Sequence, residues 1–145
     1  MNWKELSSTS PYKTAVAVKQ QIALNNVSEA NIGIEELIQA LSRSEKRALK
    51  SQLVRLMMHI VKWQSQPERR SLSWVASIKD ARDEIADICD ETPSLNENVI
   101  RELWDKAFLI ASRDAQAEMG KKSNVASLSW QEVFDVDYEL EGNFI

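Results

Sequence analysis

The sequence predicts an all-α protein: a single-domain antiparallel bundle of four to five principal helices, with a short helical turn near the C-terminus. Three observations carry that prediction. Apolar residues recur at spacings of three and four in several segments, the period of a helix with one buried face. No segment alternates apolar and polar residues as a half-buried strand does. Only three glycines and three prolines interrupt 145 residues, too few for the turns of an all-β chain.

Each element has its own local reasons. Residues 1–10 read as a loose N-terminal arm, with Trp3 and Leu6 able to dock on the body. Pro11 suits the first turn of a helix, and Tyr12, Ala15, Val16, Lys19, Ile22 and Ala23 then recur at helical spacing as far as Asn25-Asn26. A second helical segment, 31–41, sets Ile34, Leu37, Ile38 and Leu41 on one face. Ser42 to Glu45 has the form of a capping box, which would start a long helix near Arg43 after a break or a kink. In that helix Leu49, Leu53, Leu56, Ile60 and Trp63 form one narrow stripe, widened by Met57, Val61, Val54 and Met58. Pro67 lacks an N–H and disfavours helical geometry at Gln66, so the chain turns there, and Ser71 or Ser73 can cap the next helix. Trp74, Ile78, Ala81, Ile85 and Ile88 make the next stripe, opposite an acidic face. After Pro93, Ser94 and Glu97 offer another capping box, and the helix beyond it ends at Met119 before Gly120. A loop over 121–128 leads to a capped turn, Ser129 to Phe134, and then to an acidic tail, 135–145. No linker divides the chain, so one domain over 1–145 is expected.

Charge narrows the function classes. From Arg43 to Arg70 eight Lys or Arg stand against Glu45 and Glu68, a balance of +6, whereas the remainder carries −10. Pairing of basic and acidic helices, within one fold or between two subunits, accounts for that asymmetry. Nucleic-acid or anion binding through the basic segment 43–70 is the sharper alternative. Overall acidity, with no basic tail and no aromatics interleaved among the lysines, weighs against nucleic acid. No apolar run is long enough to span a bilayer and the first residues lack a signal pattern, so a cytoplasmic protein without membrane contact is expected.

The run L-x-x-L-x-x-H-I-V-K-W-Q-x-Q-P-E-R-R-S-x-S-W from Leu53 to Trp74, with the later P-S-L at Pro93 to Leu95, resembles a helical bacterial family, abundant in cyanobacteria, catalogued as domain of unknown function 29. The resemblance extends from about Tyr12 to Phe134. It implies an almost wholly helical fold and no established activity.

Groups that could carry chemistry are sparse. His59, the only histidine, sits at the edge of the long stripe one turn from Arg55. It could serve as a general base if a neighbouring helix supplied a carboxylate; a hydrogen-bonded boundary residue is the blander reading. Cys89 falls on an apolar face beside Asp87 and Asp90, a setting for packing rather than for a reactive thiolate. Asp80, Asp83, Glu84 and Asp87 with Glu35 and Glu36 lack the Glu-x-x-His pattern of di-iron bundles, so no metal is expected. No phosphate-cradling or dinucleotide motif is present, and no cofactor is expected. Arg69 and Arg70 precede a helix start, where cations are unfavourable unless compensated. With Ser71, Ser73 and Lys62 they could seat an anion or a partner's carboxylate; alternatively an acidic residue such as Asp83, Asp87 or Asp105 staples the turn. The ranking is therefore an interaction or scaffold module with a protein partner or a second copy, then an enzyme using His59, then a binder of nucleic acid or anions.

Overall fold

The computed structural model describes residues 1–140 and shows an all-α chain, 79% helical, with six helices and no strand among those residues. They are α1 (Trp3–Thr9), α2 (Pro11–Ala23), α3 (Val27–Ser65), α4 (Leu72–Glu91), α5 (Glu97–Met119) and α6 (Trp130–Phe134). Two compact units can be distinguished, Met1–Arg47 and the residues from Ala48 on. Residues 141–145 of the expected acidic tail lie outside the described residues.

Local chemistry explains the helix ends. Ser10 accepts from Lys13 N at 3.1 Å and Pro11 occupies the first turn of α2. Asn25 takes the left-handed φ of 61° that closes the turn into α3, a conformation asparagine tolerates better than most residues. A short 3-10 turn at Pro67–Arg69 follows α3, and Ser71, not Ser73, caps α4 by accepting from Trp74 N at 3.2 Å. Gly120, at φ 66°, ends α5. Ser129 and Glu132 form a complete capping box on α6.

The structure revises three expectations. Residues 1–10 are no loose arm: α1 forms there, capped by Asn2, with Trp3 3% exposed and its indole Nε1 donating to Glu29 Oε1 at 2.9 Å. Ser42 to Glu45 starts nothing, because α3 is helical on both sides; residues such as Glu35, Leu37 and Ala40 favour continuing a helix over breaking and renucleating it. Asn96 caps α5 in place of Ser94, since its side chain is the one that reaches Val99 N, at 3.2 Å.

In the unit from Ala48 on, the stripes face inward as their spacing predicts. Leu49, Leu53, Leu56, Met57, Ile60 and Val61 are fully buried, and Ile78, Ala81, Ile85, Ile100, Ala107, Ala111 and Ala115 pack with them in one core. The contacts Arg55 to Asp80 and Lys62 to the Trp74 ring run α3 and α4 antiparallel. Leu128, Val133 and Tyr138 bring the chain after α5 into the same core.

In the unit Met1–Arg47 the outcome is reversed. The face of α2 that packs is Thr14, Ala17 and Val18, while Tyr12, Val16 and Ile22 of the expected stripe are exposed. On α3, Ala30, Gly33 and Ala40 turn inward and Ile34, Ile38 and Leu41 outward. Small residues let helices approach closely: a Cβ at Gly33 would lie 2.7 Å from the Trp3 ring and 2.8 Å from Val18. The buried core here is only Trp3, Ala17, Val18 and Ala30, with Leu6 packed against it.

Candidate functional site

The turn after α3 gathers most of the residues that the sequence marks for anion or partner binding. Arg70 does not meet Asp83, Asp87 or Asp105. Its Nε donates to the Trp63 carbonyl at 2.9 Å and its guanidinium lies over the Trp63 ring, 4.7 Å from the centroid. That carbonyl belongs to the last turn of α3, where acceptors lack intrahelical donors and a cation is favoured, so the arginine closes the end of one helix rather than burdening the start of the next. Ser71 Oγ is engaged as the α4 cap, Ser73 is exposed in the first turn, and Arg69 is exposed. Lys62 stands 3.4 Å from Glu118 and 4.8 Å from the Trp74 ring centroid. Arg70 also lines an open pocket of about 450 Å³ with Trp63, Pro67, Tyr138 and Glu139.

His59 is half-buried, and its Nδ1 is 2.9 Å from the Arg55 carbonyl of its own helix, the geometry of an N–H donating one turn back. Burial lowers its pKa from the ordinary value, and Lys62 and Arg55 add to the lowering. No carboxylate among the described residues hydrogen-bonds the ring. Cys89 is half-buried and desolvation raises its thiol pKa, the opposite of what a thiolate nucleophile needs. Among the described residues no three His, Cys, Asp or Glu side chains are grouped to hold a metal ion.

Sequence reasoning missed the cluster that seals the C-terminal segment. Arg82 Nε donates to the Val133 carbonyl at 2.8 Å and its guanidinium faces the Tyr138 ring at 5.5 Å. Tyr138 donates to the Glu132 carbonyl at 2.6 Å and meets Trp63 edge-on at 5.6 Å. Burial, then the charge of Glu132, pushes the Tyr138 pKa up to about 12. The Ser129 N–H, donating to Glu132, holds that carboxyl below its usual range. The one sequence signal was Arg82 lying among apolar positions of its helix.

The more extensive feature is the outer surface of Met1–Arg47. Thirteen large hydrophobic side chains are exposed among the described residues, and only Leu72, Leu109 and Val136 of them lie beyond Arg47. On α3, Ile34, Ile38 and Leu41 recur at four and three, so they share one stripe; Ile38 is 54% exposed and Leu41 46%. Scattered surface apolar residues are ordinary, but a stripe at helical period beside a core of four residues is not. Such a surface can bury apolar area against another helix.

A family model described as domain of unknown function DUF29 matches residues 13–144. No curated protein and no solved structure matches the chain. No helix of the described residues is long and apolar enough to cross a membrane.

Proposed function

The chain belongs to the family described as domain of unknown function DUF29, and we propose that it is a protein–protein interaction module that docks a helical partner on the apolar surface of residues 1–47. One observation carries this reading. The amphipathic stripes beyond Ala48 are spent on the protein's own core, whereas those of α2 and of α3 up to Leu41 are left outward. Helix-in-groove and helix-on-helix recognition uses that arrangement, apolar anchors at spacings of three and four. The small inner core of this unit gives the docking a further consequence: covering the stripe adds apolar burial that the unit lacks by itself.

The test is a photo-reactive residue placed at Ile38 in the native cell, with the same residue at exposed Lys79 as control. The module reading expects a discrete protein adduct from position 38 that is absent from position 79, and that re-forms from purified components. No adduct at position 38, or equal adducts at both positions, would overturn it.

A further inference from the structure

Resting on the module reading, we infer that the partner on the α3 stripe is a second copy of this chain, docked antiparallel about a two-fold axis. Charge complementarity along one helix points there. Along one edge of the α3 stripe stand an acid, Glu35, and a base, Lys46, whereas Glu29 is held by the Trp3 indole and Glu36, Arg43 and Arg47 lie on the far side of the helix. Among the described residues no ion pair involves Arg43, Lys46 or Arg47. Glu35 and Lys46 are both exposed and stand about three turns apart, which sets them along the same edge of the stripe of Ile34, Ile38 and Leu41.

A parallel pairing of two such helices sets acid against acid and base against base. The antiparallel pairing sets Glu35 of each copy opposite Lys46 of the other, twice by symmetry, and a register within about 3 Å of that one brings Ile38 of each copy against Leu41 of the other. A two-fold interface uses one patch on both subunits, so the patch must complement itself. The edge of this stripe does so, with Glu35 towards one end and Lys46 towards the other beside an apolar seam. Flanking charge pairs of this kind set partner and orientation in helix pairs, while the apolar seam supplies the affinity.

Sedimentation of the purified chain over a concentration series into the high micromolar range should show reversible dimerisation. Ile38→Glu should raise the dissociation constant by roughly a hundredfold, because each dimer would desolvate two carboxylates; Leu109→Glu, on an exposed residue beyond Arg47, should leave it unchanged. In a Cys89→Ser background, mixing a Glu35→Cys chain with a Lys46→Cys chain should give a disulfide between unlike chains, and neither chain alone should cross-link to itself. That arm decides the proposal even if Ile38→Glu fails to fold, since it leaves the apolar stripe intact. A chain monomeric throughout, a dimer indifferent to Ile38→Glu in a folded variant, or cross-links between like chains would each overturn the inference. If the purified chain is monomeric while position 38 captures a different protein in the cell, the two-fold dimer falls and the module reading stands.

Discussion

Tyr138 and His59 each tie a single proton to the stability of the fold, at opposite ends of the pH scale. Tyr138 is buried with its O–H on the Glu132 carbonyl, and its folded pKa is raised from 10 to about 12. A group whose folded pKa lies above its unfolded value contributes stability that is complete below the unfolded value and lost as pH rises through the folded one. Stability measured by urea should therefore fall between about pH 10 and 12, and Tyr138→Phe should remove that dependence while costing about 1 kcal/mol at neutral pH for the lost hydrogen bond. His59 runs the other way. Its folded pKa is depressed by burial, so its contribution is complete above 6.5 and is lost as pH falls through the lower folded value. As the chain's only histidine it should dominate the slope just below pH 6.5, and His59→Gln should flatten the melting temperature there. A catalytic base would instead show its pKa in a rate.

At the scale of the helix, one amphipathic pattern has two fates, and truncation to alanine separates them. Leu56 is fully buried in the larger core, so Leu56→Ala should cost about 2 to 5 kcal/mol, transfer and cavity terms together. Ile38 lies on the outward stripe; in dilute protein Ile38→Ala should cost no more than about 0.5 kcal/mol, as surface substitutions do. Equal costs in chemical denaturation would mean that the stripe is packed after all. Gly33→Ala probes the inward side of the same helix. Alanine favours a helix over glycine by about 1 kcal/mol, but its Cβ would meet the Trp3 ring and Val18 below 3 Å. The prediction is net destabilisation, with faster amide exchange in α1 and α2 and no change in α4 or α5.

Much of this was legible in the sequence where the physics is local. Pro67, Ser71, Gly120 and the Ser129–Glu132 box act within a turn of themselves, and each does what its chemistry dictates. The stripes of α3 beyond Ala48, α4 and α5 were legible because a periodic apolar face declares that it will be covered. Periodicity does not declare by what. That is why Ile34 and Ile38 could be assigned to one face but not to the outside, and why the small residues Ala17, Ala30 and Gly33 that form the actual inner contact gave no signal. Helix α1 escaped because KELSST has no apolar period; Trp3, held by Glu29 from α3, fixes it. Arg70 on Trp63 and Arg82 on Val133 escaped for a related reason: each donates to a backbone carbonyl, and every residue offers one.

At the scale of the whole molecule, apolar surface is distributed unevenly between two units, an imbalance that a docked partner on residues 1–47 would remove. The most direct measurement is hydroxyl-radical footprinting of side chains, run on dilute purified protein and on the protein inside its native cell. With a partner on the stripe, Ile34, Ile38 and Leu41 are labelled in the dilute sample and protected in the cell, while exposed Leu72 and Leu109 are labelled equally in both. Equal labelling of the α3 stripe in the two settings would contradict a docked partner.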